Sequence, residues 1–228
     1  MKTEPEFNRY ADDYRELLRD PIRDAFASGD FFHARKWRLL RDFLERRGAV
    51  TKGWRWLDIG SGKGELLRMG REAFAQAAGC DPSAAMIEGC SDLSVRLQEN
   101  PLAIPFPDES FEFITAVCVY HHVQPKDRPA LTAEVRRVLT PGGVFVAIEH
   151  NPLNIATRLI VSRTPIDANA KLLRAGAAES LLRGTGLTPF EKSYFLYLPE
   201  SLYRRFGIVE HWLRRIPAGG QYAVFGSK

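Results

Sequence analysis

The sequence predicts an α/β fold built on a doubly wound, mostly parallel sheet. Strand and helix patterns alternate along residues 54–149, which favours parallel strands joined by helices. A glycine-rich turn at residues 60–64 follows the first of these strands, and Asp81 ends the second. Ligands bind at the carboxyl edge of such sheets, so we expect the functional site where these strands end.

The composition is that of an ordinary globular protein. Of the 228 residues, 45% are hydrophobic and 26% are charged. No apolar run approaches the ~20 residues that cross a bilayer, and the first six residues lack the apolar stretch of a secretory signal. Cys80, Cys90 and Cys118 have no metal-ligand spacing. We therefore expect a cytoplasmic protein that forms one domain, residues 1–228, without disulfides or a bound metal.

Residues 1–50 are predicted to be helical. One helix is expected over residues 10–18, and Asp20-Pro21 is a typical start signal for the next. A longer helix is expected over residues 31–46, where apolar residues recur at helical spacing before Gly48. We expect this region to form a lid over the site, with aromatic cover from Tyr10, Tyr14, Phe31, Phe32 and Trp37.

The central part, residues 54–150, contains the alternating pattern. Asp81-Pro82-Ser83 predicts a helix start, because it combines a capping residue with an early proline. Pro141-Gly142-Gly143 predicts a helix end. The predicted strands are residues 54–59, 74–80, 111–119 and 144–149, and the predicted helices end near residue 72 and span residues 127–139.

Residues 151–228 show a weaker pattern. A loose stretch after Pro152 precedes a helix over residues 178–183 and strands over residues 190–198 and 221–226. Residues 199–217 place apolar side chains on one helical face beside several arginines, which is typical of a helix that covers the core. A lid over an anionic acceptor and a membrane-surface contact are the alternatives. The apolar residues are Leu202, Phe206, Val209, Leu213 and Ile216.

The glycine-rich turn reads Asp58-Ile59-Gly60-Ser61-Gly62-Lys63-Gly64. Glycines let a ligand lie against the backbone, and the helix that follows presents free N–H groups and the positive end of its dipole. The spacing is Gly-x-Gly-x-Gly, whereas dinucleotide-binding turns have Gly-x-Gly-x-x-Gly. The loop therefore disfavours a dehydrogenase.

Further segments support one family when taken together with this loop. They are Ile104-Pro105-Phe106-Pro107-Asp108-Glu109-Ser110-Phe111, then His121-His122, then Leu139-Thr140-Pro141-Gly142-Gly143. In this order, over residues 54–150, the chain resembles the class I S-adenosylmethionine-dependent methyltransferases that act on small molecules. The resemblance implies a seven-stranded sheet whose last strand, residues 221–226, is antiparallel.

The resemblance also implies the cofactor site. The glycines of the loop would line the methionine part, with Asp58 near its amino group, and Asp81 would accept hydrogen bonds from both ribose hydroxyls. Pro82 and Met86 would pack on the sugar and adenine. The implied residues that bind S-adenosylmethionine are Asp58, Gly60, Ser61, Gly62, Gly64, Asp81, Pro82, Met86, Asn100, Pro101, Leu102, Cys118 and His122.

The adenine-binding position departs from the family pattern. The family has Asp where this chain has Asn100, and the next residue, Pro101, has no N–H to donate to the ring. The asparagine can still accept a hydrogen bond through its carbonyl oxygen. An alternative alignment makes Glu99 the acceptor.

Two strand ends carry the candidate catalytic residues. His121 and Glu149-His150 follow the fourth and fifth strands at the carboxyl edge. A histidine suits a general base because its ordinary pKa is ~6.5. We therefore take His150, His121 and Glu149 as candidates, with structural or loop roles as the alternative for each histidine.

Charge is distributed unevenly along the chain. The net charge is +1 over residues 1–50, −3 over residues 51–152 and +6 over residues 153–228. This favours an anionic or phosphate-linked acceptor that contacts the last third of the chain. The candidate contacts are Arg158, Arg163, Lys171, Arg174, Arg204 and Arg205.

We therefore predict S-adenosylmethionine-dependent methyl transfer to a small molecule, at oxygen rather than nitrogen. The first alternative is an RNA or protein methyltransferase that uses the basic last third, although no long basic tract supports a nucleic-acid partner. The second is a cofactor-binding protein without catalysis. The sequence leaves the oligomeric state open.

Overall fold

The computed structural model describes residues 6–228, so residues 1–5 of the predicted lid lie outside it. The expected helix over residues 10–18 is shorter, because a 3₁₀ helix at Glu6–Tyr10 precedes a single turn. Asp20 caps the next helix, as predicted, by accepting from the backbone of Ile22 at 2.8 Å. The helices are α1 (Tyr14–Leu17), α2 (Pro21–Phe26), α3 (Gly29–Arg46), α4 (Glu65–Gly70), α5 (Ala84–Ile87), α6 (Arg128–Val138), α7 (Ile155–Arg163), α8 (Ala175–Gly184), α9 (Glu200–Phe206) and α10 (Ile208–Leu213).

A single seven-stranded sheet organises the described residues in the order β3-β2-β1-β4-β5-β7-β6. The first five strands are mutually parallel, and β7 is antiparallel to both β5 and β6. The doubly wound, mostly parallel α/β fold with an antiparallel last strand is thus confirmed. The strands are β1 (Arg55–Ile59), β2 (Gln76–Asp81), β3 (Ser94–Leu97), β4 (Phe111–Val117), β5 (Leu139–His150), β6 (Thr188–Phe195) and β7 (Gln221–Ser227).

Three elements differ from the sequence expectation. Strand β3 was not predicted, because it is a short edge strand with mostly exposed side chains and no clear alternation. Helix α7 replaces the loose stretch expected after Pro152, and Asn154 caps it by accepting from the Thr157 N–H at 2.8 Å. Strand β5 begins at Leu139 rather than Val144, because an irregularity in its pairing with β4 accommodates the glycines.

Helices cover both faces of the sheet. On one face, Leu40 and Phe43 of α3 pack with Trp56, Phe113 and Phe225. The opposite face is covered by α6 and α8, whose apolar side chains join those of β1, β4 and β5. With both faces covered, the carboxyl edge of the parallel strands is left for the site.

The segment over residues 199–217 turns most of its predicted apolar face toward solvent instead of toward the core. It forms two short helices, α9 and α10, separated at Gly207. Four of the five apolar residues predicted to pack inward are exposed, and Trp212 is 82% exposed beside them. The exposed four are Leu202, Phe206, Val209 and Ile216. Within residues 6–228, we find no helix whose length and apolar character would let it span a bilayer.

Candidate active site

The loop between β1 and α4 carries its glycines in a left-handed backbone conformation. The φ angles are +64° at Gly60, +52° at Gly62 and +77° at Gly64. A Cβ at Gly60 would lie 2.5 Å from Val119, and one at Gly64 would lie 2.3 Å from Leu93. A Cβ at Gly62 would instead lie 3.4 Å from Met86, beside a cavity that both residues line. Packing therefore requires the outer two glycines, whereas the central one keeps space beside the backbone open.

Two buried carboxylates flank the loop, as the sequence predicts. Asp81 Oδ2 accepts from the Gly62 N–H and its Oδ1 accepts from the Ser83 N–H, both at 2.9 Å. Asp58 accepts from the Thr115 hydroxyl at 2.6 Å. Burial raises the pKa of Asp58 to about 7, against the effect of that hydrogen bond, and burial also raises the pKa of Asp81. Asp81 ties the loop to the end of β2, and both carboxylates border the same space.

That space is a cavity of about 560 Å³ at the carboxyl edge of the sheet. Its volume lies in the range of small-molecule sites. Twelve of the predicted site residues line it: Asp58, Gly60, Ser61, Gly62, Asp81, Pro82, Met86, Pro101, Cys118, His121, His122 and His150. Gly64, Asn100, Leu102 and Glu149 do not border it.

The predicted adenine acceptor is turned away from the cavity. Asn100 is exposed, and its side-chain oxygen accepts from the Leu102 N–H at 3.0 Å, which closes a local turn. Glu99, the alternative acceptor, is exposed as well. Gln98 borders the cavity instead, and its buried side chain donates to the Pro101 carbonyl at 2.9 Å. Sequence reasoning missed this glutamine because only the tertiary structure orients it.

A buried polar network lies beneath the part of the cavity that is opposite the glycine loop. His121 Nδ1 lies 2.6 Å from Glu149 Oε2, and His121 Nε2 lies 3.4 Å from Asp167 Oδ1. Burial alone would lower the pKa of His121, but these two carboxylates hold it well above its usual range. His122 Nε2 lies 3.5 Å from the same Asp167 oxygen, and burial lowers the pKa of His122 to about 3.

Sequence reasoning did not anticipate Asp167, which lies in a 3₁₀ helix after α7. We expected no metal-ligand cluster, yet one ligand atom from each of His121, His122 and Asp167 lies within 4.8 Å of the others. The adjacent histidines were the only signal, because the carboxylate is distant in sequence.

His150, the candidate base, borders the cavity beside β7. Its Nδ1 lies 3.5 Å from Gln221 Nε2, which lies equally far from Cys118 Sγ. Burial alone would raise the pKa of Cys118, but Lys36 and His150 lower it to about 7. Cys118 also has a positive φ of 59°, so the chain turns sharply as it leaves β4.

The N-terminal helices form one wall of the cavity. Phe7, Tyr14 and Phe32 line it, whereas Phe31 and Trp37, which we expected in the lid, pack into the core beneath α3. Burial raises the pKa of Tyr14, so its hydroxyl stays protonated across the physiological range. The tyrosine can therefore donate a hydrogen bond into the cavity.

The basic residues of the last third do not line this cavity. Its cationic lining comes instead from Arg23, Lys36 and Lys63, which precede or lie within the central part of the chain. The expected contacts are all exposed outside it: Arg158, Arg163, Lys171, Arg174, Arg204 and Arg205. Their charge excess could not reveal this, because it does not determine which side chains face inward.

The site fits S-adenosylmethionine on its own geometry. The loop is open at Gly62, and Asp81 borders the same space with oxygens that can each accept a further hydrogen bond. Among the described residues, the buried Ser61 hydroxyl and the Gln221 carbonyl oxygen have no hydrogen-bond partner. Unpaired buried polar atoms beside a glycine-lined cavity indicate a polar ligand.

Comparison with known proteins agrees with this geometry. Residues 57–147 match the methyltransferase-domain family. The chain is 32% identical over 136 residues to the ubiquinone/menaquinone biosynthesis C-methyltransferase UbiE of Bordetella avium, a stretch covering 53% of this chain and 50% of the relative. It is 33% identical over 138 residues to a Bos taurus protein named "Probable tRNA methyltransferase 9B", covering 56% of this chain and 28% of the relative. The chain thus spans half or less of the length of these curated relatives.

Solved structures share the fold over nearly the whole chain. A chain of the "Complex between the Haloferax volcanii Trm112 methyltransferase activator and the putative methyltransferase" superposes with a TM-score of 0.68 at 20% identity, covering 97% of both chains. An S-adenosylmethionine-dependent methyltransferase from Archaeoglobus fulgidus gives 0.63 at 20% identity, covering 88% of this chain and all of the other. Residues 57–147, which include the glycine loop and Asp81, thus match the methyltransferase-domain family, and together with the shared fold they support a class I S-adenosylmethionine-dependent methyltransferase.

Proposed function

We propose that this protein transfers the methyl group of S-adenosylmethionine to a small acceptor that carries an ionisable hydroxyl. The observation behind the proposal is that one cavity joins two different environments. The glycine loop and Asp81 lie in one part, and His150 with apolar side chains of α2, α3 and α7 lies in the other. Such a division suits a polar cofactor beside a largely apolar acceptor.

The cofactor half is formed by residues of the central part. Asp81 would accept from the ribose hydroxyls, and ionised Asp58 would attract the cofactor's amino group. Gln98 would replace Asn100 on the adenine side, because only its side chain borders the cavity. When bound, S-adenosylmethionine supplies a methyl group that its positive sulfonium activates toward nucleophiles.

His150 is the proposed general base. Both ring nitrogens of His121 already face carboxylates, and the side chain is 1% exposed, so it has no free nitrogen for an acceptor. His150 borders the cavity and can take the acceptor's hydroxyl proton. The Tyr14 hydroxyl can orient that oxygen, while Phe7 and the N-terminal helices exclude water.

The wall of the acceptor half favours an aromatic or otherwise apolar acceptor. Leu18, Ile22, Phe26, Ile160 and Val161 line it, with Lys36 and Arg23 available to neutralise an oxyanion. Two relatives are named as a ubiquinone/menaquinone biosynthesis C-methyltransferase and a demethylmenaquinone methyltransferase, which supports an aromatic acceptor of this kind. Methylation of the oxygen or of the adjacent ring carbon would both follow from such an anion.

Calorimetric titration with S-adenosylhomocysteine, the demethylated cofactor, tests the cofactor half. The Asp81→Ala variant should bind the ligand more weakly by ~1.5–3 kcal/mol, because the buried ribose hydroxyls lose their hydrogen-bond acceptor. Asp108→Ala is the matched control, since that carboxylate is 73% exposed and outside the cavity. No binding by the unchanged protein, or equal binding by Asp81→Ala, would contradict the proposal.

Turnover on a panel of acceptors tests the rest. The panel should contain phenols, hydroquinones, neutral alcohols and total tRNA, and methylated products are identified by mass spectrometry. We expect methylated products from hydroxyl-bearing aromatics. The rate of product formation should fall at least tenfold with His150→Gln. Methylation of tRNA alone would favour the nucleic-acid alternative. Cofactor binding without turnover on any acceptor would favour a binding protein.

A further inference from the structure

Three side chains that border the cavity present ligand atoms at metal-binding spacing. Asp167 Oδ1 lies 3.4 Å from His121 Nε2 and 3.5 Å from His122 Nε2. The third pair is formed by the two histidines, and the ligand atoms of all three residues lie within 4.8 Å of one another. Four ligands at ~2.1 Å around a tetrahedral ion are separated from one another by about 3.4 Å. Two of the three separations therefore already match a coordinated ion.

The surrounding residues orient the buried histidine as a ligand. Glu149 Oε2 lies 2.6 Å from His121 Nδ1. The other carboxylate oxygen, Glu149 Oε1, accepts from the backbone N–H groups of Val119 at 2.9 Å and Tyr120 at 2.7 Å. With Nδ1 held by a fixed carboxylate, Nε2 is left facing Asp167. A metal-binding histidine typically donates a hydrogen bond from its other ring N–H to a carboxylate.

The charge balance also favours a cation. The Glu149 and Asp167 side chains are 1% and 9% exposed, and each contacts one ring nitrogen of His121. A divalent ion at Nε2 would neutralise both, which matters because unpaired buried charge is costly.

We propose that His121, His122 and Asp167 bind a divalent first-row transition metal ion at the acceptor end of the cavity. Two imidazoles and one carboxylate suit Zn²⁺ or Fe²⁺, whereas Mg²⁺ and Ca²⁺ prefer oxygen ligands. The remaining coordination positions can take an oxygen of the acceptor, which lowers the pKa of a bound hydroxyl. This role for the acceptor rests on the proposed function, but binding of the ion does not.

Metal binding by the chelator-treated, untagged full chain tests the site. Zn²⁺ alone is titrated by calorimetry, and Co²⁺ is added separately to record its visible absorption, which reports the coordination geometry. Asp167→Asn and His122→Gln remove one ligand each with little change in shape. His211→Gln is the matched control, because this histidine is exposed on α10. Circular dichroism and S-adenosylhomocysteine titration are recorded for every variant.

We expect one Zn²⁺ per chain, a Co²⁺ spectrum of low coordination number, and at least tenfold weaker binding in both ligand variants but not in His211→Gln. No stoichiometric uptake by the unchanged protein, or equal uptake by Asp167→Asn, would overturn the site and leave a proton on His121 as the bridge. Because cofactor-product binding is measured in parallel, loss of that binding with intact Zn²⁺ uptake would count against the proposed function alone. If a ligand variant fails to fold, the other one decides.

Discussion

The Thr115 hydroxyl donates a 2.6 Å hydrogen bond to Asp58, and Trp56 Nε1 donates to that same hydroxyl at 2.9 Å. All three residues are buried in neighbouring strands β1 and β4. The relay holds the carboxylate at the start of the glycine loop. Burial nevertheless raises the pKa of Asp58 to about 7, so its charge changes near physiological pH.

We expect the affinity for S-adenosylhomocysteine to rise as the pH increases through about 7. Above this value Asp58 is ionised and attracts the ligand's amino group, whereas below it the charge is lost. Titration calorimetry from pH 5.5 to 8.5 measures this. Asp58→Asn should remove most of the rise, while Glu72→Gln should retain it, because that side chain is 91% exposed. An unchanged profile in Asp58→Asn would assign the titration to another group.

The same carboxylate should affect stability without ligand. Its pKa is raised in the folded state, so between about pH 4 and 7 the folded chain holds a proton that the unfolded chain releases. The contribution of Asp58 to the free energy of unfolding therefore falls as the pH rises through this window. Denaturant unfolding should show that Asp58→Asn gains stability relative to the unchanged protein at pH 8 but not at pH 4. The reverse order would be inconsistent with a raised pKa.

Gln98 rather than Asn100 should contribute to cofactor affinity. Gln98→Ala removes a buried amide beside the cavity and should weaken S-adenosylhomocysteine binding about tenfold, as expected for a lost hydrogen bond. Asn100→Ala should change it by less than about twofold, because this side chain only closes an exposed turn. Competition binding on the two variants decides. A larger loss in Asn100→Ala would restore the family pattern.

A buried ion pair should hold α10 against α3. Arg35 contacts Glu210 and donates to the Tyr203 hydroxyl at 2.6 Å, and both charged side chains are below 10% exposure. Arg35→Ala should lower the free energy of unfolding by about 3–5 kcal/mol, because it leaves Glu210 buried without its partner. Arg38→Ala breaks an exposed pair with Asp42 and should cost about 0–1 kcal/mol. Urea unfolding compares them, and similar losses would refute the prediction.

The lid expectation can be restricted to part of the N-terminal region. Phe7, Tyr14 and Ile22 border the cavity, whereas Phe43 of α3 is packed in the hydrophobic core. Hydrogen exchange should therefore slow over residues 6–26 when S-adenosylhomocysteine binds, with little change over residues 38–46. Equal protection with and without ligand would make the whole region permanent structure.

Short-range sequence signals predicted that the glycine loop and Asp81 meet at the edge of the sheet, where both border the cavity. The Gly60-Ser61-Gly62 turn and Asp81 depend on positive φ, on helix starts and on strand ends, which are properties of neighbouring residues. They follow two adjacent parallel strands, so their carboxyl ends necessarily meet at one edge. The antiparallel β7 followed from the family resemblance rather than from its own composition.

Other parts of the cavity wall depend on contacts between distant segments. Asp167 reaches His121 from a 3₁₀ helix 46 residues further along the chain, and Gln98 rather than Asn100 borders the cavity where the chain leaves β3. Edge strand β3 and helix α7 carry weak periodicity, since each is only partly buried, and so the sequence pattern missed them. Local propensity and spacing determine where a strand ends and a loop opens. Only packing of the whole chain decides which polar side chains are buried together, because burial and long-range charge pairing are properties of the assembled core.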